Sequence, residues 1–247
     1  MYTQRTYRNH IHTSGLKTFR VRVKETDLFV SAVKDLSEIA REMIFQYRGI
    51  IEKFIQYHPE FLKAFTPLTY HQPTPEIIAN MLEAAHQAGV GPMAAVAGAI
   101  AEHVGLELLP YSDDLIIENG GDIFIKSHRP VTIGIFAGPS PLSMKIGLRL
   151  EPQPEPVAVC TSSGTVGHSA SLGKADAVCV LSASCTLADA AATSIGNRVQ
   201  QKTDIPDAIE FGKHINKVDG IVIIKNDKIG LWGELNIVPL MEKKVEF

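Results

Sequence analysis

Asp189 and Thr193 stand four residues apart in the run Ala188-Asp189-Ala190-Ala191-Ala192-Thr193-Ser194, whose flanks repeat with helical spacing. Residues four apart on a helix project from one face, one turn from each other. A carboxylate and a hydroxyl stacked this way make two oxygen ligands for a hard cation. Mg2+ takes one or two such carboxylates and completes its shell with phosphate and water oxygens. The same spacing also fits a helix that carries a surface Asp and a Thr bonded back to its own backbone. Spacing alone leaves both readings open.

A second segment, residues 161–174, begins Thr161-Ser162-Ser163-Gly164 and ends Gly173-Lys174. It holds six hydroxyls, three glycines, His168 and Lys174. Backbone N–H groups of such a loop can converge on an anion, and Lys174 can neutralise phosphate charge. It is not a Walker A loop, because Ala175 follows Lys174 where Ser or Thr is required. A third segment reads Glu118-Asn119-Gly120-Gly121-Asp122. Its two glycines permit positive φ and close backbone approach. It reads equally as a tight hairpin turn, for which Asn-Gly is the strongest signal. A fourth, Gly89-Val90-Gly91-Pro92, opens an alanine-rich helix whose N-terminus could receive an anion.

Behind these segments lie the elements that must position them. Apolar residues at helical spacing predict a long helix within residues 31–57, ending at His58-Pro59. Thr74-Pro75 reads as an N-cap with proline at the first position of a second helix, reaching Ala88. A third helix is expected over 93–104, a fourth over 185–199 and a fifth over 207–214. Alternating or short apolar runs predict strands at 19–23, 28–30, 115–118, 123–126, 131–136, 157–160, 177–181, 220–224 and 228–232. Residues 145–150 read as an added edge strand, and Lys225-Asn226-Asp227 as a hairpin turn. Helices and strands are partly segregated, which gives an α+β class with an antiparallel or mixed sheet packed with helices. The expectation is one domain over 1–247, helix-rich at 31–105 and strand-rich at 113–235.

Composition narrows the function. The net charge is -3 and aromatic residues make up 7%, which argues against nucleic acid, a base-stacking platform or an acidic membrane surface. The most apolar stretch, 88–109, contains Pro92, Glu102 and His103. It reads as a closely packed core helix and not as a membrane span. No apolar region follows the first residues, so no signal peptide is expected and the location is read as cytoplasmic. Cys160, Cys179 and Cys185 lie in apolar surroundings, as buried thiols in a reducing compartment would. Gly-x-Ser-x-Gly is absent, so an α/β-hydrolase elbow is not supported.

Taken together, Asn119-Gly120-Gly121-Asp122, Thr161-Ser162-Ser163-Gly164 and Ala188-Asp189-Ala190-Ala191-Ala192-Thr193 follow one another as in ApbE proteins, which the chain resembles. Glu25-Thr26-Asp27-Leu28, Val90-Gly91-Pro92-Met93-Ala94-Ala95 and Ser163-Gly164-Thr165-Val166-Gly167-His168 resemble an uncharacterised ApbE-like group more specifically, over nearly the full length. ApbE proteins are magnesium-dependent flavin transferases. They use FAD to attach FMN to a Ser or Thr of a target protein, and some hydrolyse FAD to FMN and AMP.

The resemblance implies Asp189 and Thr193 as side-chain magnesium ligands. It implies Asn119, Gly120, Gly121 and Asp122, with Thr161, Ser162, Ser163, Gly164 and Lys174, as contacts to a flavin nucleotide such as FAD. His168 corresponds to the histidine of a His-x-x-Asp-Pro motif and would be the catalytic acid or base. Two departures stand out. Ser169-Ala170-Ser171-Leu172 follow His168, so the Asp and Pro are missing, and Pro92-Met93-Ala94-Ala95 lacks the family's lysine. The expected activity is Mg-dependent phosphotransfer or hydrolysis on a flavin nucleotide. The alternatives are a non-catalytic nucleotide binder, or an enzyme for another small anion on the same scaffold. A homodimer, through the long helix, is the expected assembly.

Overall fold

The computed structural model of the chain describes residues 15–165 and 172–240. The chain begins with a hairpin, β1 (Lys17–Val23) and β2 (Thr26–Ala32), and then turns helical. The helices are α1 (Ser37–Tyr57), the short α2 (Glu60–Lys63), α3 (Glu76–Ala88) and, after a 3-10 turn at Pro92–Ala95, α4 (Val96–Leu108). A second hairpin follows, β3 (Leu115–Asn119) and β4 (Asp122–Lys126), then β5 (Val131–Gly134), β6 (Ile146–Leu150), β7 (Val157–Ser162) and β8 (Ala177–Ser182). Next come α5 (Cys185–Gly196), α6 (Ile205–Gly212), the hairpin β9 (Val218–Lys225) and β10 (Lys228–Gly233), and β11 (Asn236–Pro239).

Eight strands form one antiparallel sheet in the order β1-β2-β3-β4-β7-β8-β9-β10. Three more form a small antiparallel sheet, β11-β6-β5. The central strands are apolar on both sides, because each face of the large sheet has its own core. Successive side chains in a strand point to opposite faces. Ile117, Phe124, Ala158, Cys160, Val178, Val180, Ile221 and Ile223 join the helices in one core. Their neighbours Ile116, Ile123, Ile125, Val159, Ala177, Cys179, Val222 and Ile224 join Val131, Ile133 and Leu148 of the small sheet in another. The fold is therefore three layers: helices, large sheet, small sheet. The expected α+β class and the antiparallel sheet are both found.

The helical run Pro92–Tyr111 is long and apolar enough to cross a bilayer by length and composition alone. Here α4 packs against α1, α3, α5, β3 and β4. Its small residues match that crowding. A Cβ on Gly105 would sit 2.5 Å from the Phe124 ring, and one on Gly98 would sit 2.3 Å from the Cys185 carbonyl oxygen.

Several boundaries differ from the sequence reading. The helix expected within 31–57 starts at Ser37, because Ser31 and Ala32 pair with Ile116 and Leu115 as the end of β2. Thr74 does not cap α3; Pro75 holds that position, with no side-chain cap bond. The helix expected over 207–214 starts a half-turn earlier at Ile205 and ends at Gly212, since Pro206 suits a first turn that needs no N–H. Residues 145–150, read as an edge strand, supply the central strand of the small sheet, because β11 pairs on its far side. β11 itself has no counterpart in the sequence reading.

Candidate functional site

The Asn119–Asp122 turn closes the β3–β4 hairpin through a two-residue loop, with Asn119 in register with Asp122. Gly120 and Gly121 have φ of 74° and 116°. Positive φ at both central positions is what a type I′ hairpin turn demands, and glycine meets it without strain. The Gly121 N–H donates to Glu118 Oε1 at 2.9 Å, and the Gly121 carbonyl accepts from the Thr161 N–H at 3.1 Å. Strand parity puts Asn119 and Asp122 on the helix side of the sheet, with Ile117 and Phe124. Asn119 Nδ2 then donates to the Ala97 carbonyl at 2.9 Å. The hairpin tip is thereby tied to the first turn of α4.

That first turn meets α5. Asp189 Oδ2 accepts from the Gly98 N–H at 2.8 Å. Glu102, one turn further along α4, reaches the opposite way. Its Oε2 accepts from the Thr186 N–H at 2.7 Å, from Thr186 Oγ1 at 2.6 Å and from Ser184 Oγ at 3.1 Å. Each helix thus places a carboxylate on first-turn amides of the other that have no partner within their own helix, where the helix dipole favours negative charge. Ser184 is the N-cap of α5 and also accepts from the Leu187 N–H.

Asp122 and Asp189 are close enough to repel. Burial raises the Asp122 carboxyl well above the ordinary carboxylate range, and the charge of Asp189 adds to this; hydrogen bonds from Cys160 and the Thr161 N–H only partly oppose it. Burial likewise pushes Asp189 up to about 7, against the lowering effect of the Gly98 and Ala97 amides. Beneath them, Cys160 Sγ lies 3.5 Å from Cys185 Sγ, and burial raises both thiols. All three cysteines are buried and free, as the sequence reading expects.

Two carboxylates that resist ionisation together, beside a hydroxyl one turn along α5, suit a divalent cation that would relieve their repulsion. Among the described residues no three His, Cys, Asp or Glu side chains form a metal-ligating group. A cation at Asp189 would therefore draw its remaining oxygens from Thr193, backbone, water and ligand. That donor set fits Mg2+ and not a thiolate zinc site.

The hydroxyl-rich segment divides between two faces. Ser162 lies on the helix side; a Cβ on Gly196 would be 3.9 Å from its Oγ. Thr161 turns the other way and bonds Cys179 Sγ at 3.1 Å, on the small-sheet side. Ser163 Oγ lies 3.3 Å from Thr165 Oγ1 and accepts from the Thr165 N–H. Gly164 and Gly173 are required by contact. A Cβ on Gly164 would sit 2.1 Å from the Gly173 carbonyl oxygen, and one on Gly173 would sit 1.9 Å from the Gly196 carbonyl oxygen. The two stems are thus pressed together against the C-terminal end of α5. Lys174 donates its N–H to Val199 O at 2.7 Å and leaves its side chain exposed. His168 and its neighbours 166–171 lie outside the described residues.

The Gly89–Pro92 segment, readable as an anion site or as simple helix initiation, leads into a first turn of α4 whose Ala97 and Gly98 amides bond to Asp189. Gly91 packs against the Ala64 carbonyl, 1.8 Å from where a Cβ would stand. A crevice of about 10 Å³ lined in part by Ile125, Arg129, Leu150 and Val157 shares no residue with the site and has room for about one water.

Sequence reasoning missed Glu102 and Gly98, whose partners lie far along the chain. It also missed Asp176, a buried carboxylate. Asp176 accepts from the Asn226 N–H at 2.5 Å and from Thr165 Oγ1 at 3.3 Å, and pairs with Lys225 at 3.6 Å. It anchors one stem of the hydroxyl-rich loop to the β9–β10 hairpin. A charged residue inside an apolar run, as at 102 and 176, was the available signal.

A family model described as AbpE bacteria matches residues 8–217. This chain belongs to that family. The AbpE-family chain is 38% identical over 232 residues to the UPF0280 protein of Methanocaldococcus jannaschii, covering 92% of this chain and 94% of the relative. It is 39% identical over 234 residues to that of Methanococcus vannielii, covering 92% and 95%. Among solved structures it is similar to the apo flavinyl transferase ApbE of Pseudomonas stutzeri, with TM-score 0.53, 11% identity, and 88% of this chain and 94% of that one covered. It is also similar to the ApbE protein of Thermotoga maritima, with TM-score 0.52, 14% identity, and 89% and 97% covered. At such identities the likeness is one of fold, and it agrees with the ApbE-like fold expected from the sequence.

Proposed function

We propose that this AbpE-family chain binds a flavin nucleotide of the FAD type together with Mg2+ and cleaves or transfers its phosphate linkage. The observation that carries the reading is the meeting of the Asn119–Asp122 hairpin with α5. Asp122 and Asp189 lie close enough for their charges to interact, and Thr193 stands one helical turn from Asp189. Asp189 and Thr193 would hold the cation, which when bound supplies charge neutralisation for a pyrophosphate. The Gly98 and Ala97 amides orient Asp189, whose carboxylate would also contact the cation. Asn119, Gly120 and Gly121 form the turn against which the nucleotide would lie. Ser162, Ser163, Gly164 and Lys174 would face its phosphates, with the loop stems held firmly. Thr161 is the least suited of these, because its hydroxyl is engaged on the far face. His168 would move a proton to or from the reacting oxygen.

The test is incubation of the purified protein with FAD and Mg2+, with separation of FMN and AMP by chromatography. Turnover in the wild type that is lost in His168→Ala supports the enzymatic reading. A second reading, a nucleotide binder without turnover, is favoured by the missing Asp and Pro after His168 and by the missing lysine in 92–95. Tight FAD binding with no product over long incubation would select it.

A further inference from the structure

Every residue of α5 is buried except Asp189 and Thr193, which are half-buried. Gly196, the last residue of the helix, continues the row they begin. Positions 189, 193 and 196 are spaced by four and by three, so they share one helix face. Gly196 lies about 4.5 Å beyond Thr193 along the axis, at 1.5 Å per residue. Its φ is not positive, so the backbone does not require glycine there. Packing does not require it either. A Cβ at 196 would meet Val178 Cγ2 at 3.7 Å and Ser162 Oγ at 3.9 Å, both ordinary van der Waals distances. Gly98, Gly164 and Gly173 differ, since a Cβ on each would stand within 2.3 Å of a carbonyl oxygen. The missing side chain at 196 leaves a space that Ser162 faces.

Ser162 also differs from the hydroxyls around it. Thr161 Oγ1 is bound to Cys179 Sγ, Ser163 Oγ accepts from the Thr165 N–H, and Thr165 Oγ1 donates to Asp176. Ser162 Oγ has no hydrogen-bond partner among the described residues. Its backbone is nevertheless fixed, as the last residue of β7 in register with Val178. A polar group that is half-buried and rigidly held is normally bonded within the protein. This one is instead left free, beside a vacancy, on the helix face that carries Asp189 and Thr193.

We infer that Ser162 Oγ is an internal acceptor, which takes the FMN group of the bound nucleotide onto the protein itself. The inference rests on the flavin-nucleotide reading above. Ser162 Oγ attacks the flavin-side phosphorus of an FAD-type ligand. The Oγ–P bond forms, and the P–O bond to AMP breaks with its electron pair kept by AMP. The hydroxyl proton is released to water. The step needs no oxidant, reductant or further reactant, and a side-chain hydroxyl is an ordinary nucleophile for such a transfer. Gly196 leaves room for the phosphate at Ser162 Oγ. Asp189 and Thr193 lie along the same face, where a cation would neutralise the departing phosphate.

The test is mass spectrometry of the full chain after incubation with FAD and Mg2+ and then denaturation. The wild type is expected to gain an FMN group on the peptide containing Ser162 and to release AMP in equal amount. Ser162→Ala is expected to gain nothing. Gly196→Ala is expected to keep the wild-type thermal midpoint, because its methyl group clashes with nothing. The same methyl group fills the space beside Ser162, so most of the adduct should be lost. FAD cleaved to free FMN and AMP with no adduct overturns the inference and leaves the flavin-nucleotide reading standing. FAD neither bound nor cleaved overturns both. An adduct on another residue, an adduct carrying AMP in place of FMN, or an adduct undiminished in Gly196→Ala also overturns the inference.

Discussion

Asp189 Oδ2 accepts a 2.8 Å hydrogen bond from the backbone N–H of Gly98, at the point where α4 and α5 meet with no side chain between them. A Cβ at 98 would stand 2.3 Å from Cys185 O and 2.8 Å from Asp189 Cβ. Both neighbours belong to a helix that cannot yield locally. Gly98→Ala should therefore destabilise the protein by about 1–3 kcal/mol, the usual cost of overpacking a filled interior. Urea unfolding measures this, and an unchanged midpoint would show that the helices are less tightly apposed.

Glu102 makes the reciprocal contact, with three donors on one carboxylate oxygen. Hydrogen bonds to a charged group are worth about 1.5–3 kcal/mol each, and they are not additive. Glu102→Ala should cost about 2–4 kcal/mol, and Glu102→Gln, which keeps an acceptor, should cost less. Equal losses in the two variants would assign the effect to packing instead.

The raised carboxyl of Asp189 has a consequence for stability. Its ordinary value is 3.8 and its folded value about 7, so between these pH values the folded protein binds more protons than the unfolded chain. The stabilisation is complete at low pH and is lost as pH rises through about 7. Asp189→Asn removes the titrating carboxyl, so the decline of stability with pH should flatten in urea unfolding taken on either side of about 7. An unchanged decline would mean that another group sets it.

His103 acts in the opposite direction. It is buried between α1, α3 and α4, with Nε2 at 3.2 Å from Asn80 Nδ2 and its ring 5.0 Å from that of Tyr47. Burial lowers its pKa, although Glu102, Glu76 and Glu107 pull upward. The folded state resists a proton that the unfolded chain accepts near 6.5. Stability should therefore fall as pH drops through that value. His103→Gln should lose this acid-side dependence in unfolding curves taken on either side of 6.5. If wild type and variant respond alike, His103 is protonated in the folded protein.

Local periodicity made much of the fold legible. The apolar stripe from Leu36 onward is α1, and the alternation at Ile116, Ile117, Ile123 and Phe124 marks strands covered on both faces. β11 escaped because it is only four residues long, with no buried residue and no alternation to read. The hairpin at Asn119–Asp122 was visible because its turn chemistry is local. The pairing of Asp189 with Gly98 spans 91 positions and has no local trace. Thr161 was grouped with its neighbours by composition. It separates from them because β7 continues to Ser162, and an extended strand sends adjacent side chains to opposite faces.

The central claim is that Asp189 carries a cation-dependent nucleotide site. Calorimetric titration of FAD with and without Mg2+, on wild type and Asp189→Asn, tests it most directly. Asparagine keeps an acceptor for the Gly98 N–H and removes only the charge, so the helix contact survives. The account predicts FAD binding that strengthens with Mg2+ in the wild type and a lost magnesium response in the variant. FAD binding indifferent to Mg2+, or a magnesium response retained by Asp189→Asn, would contradict it.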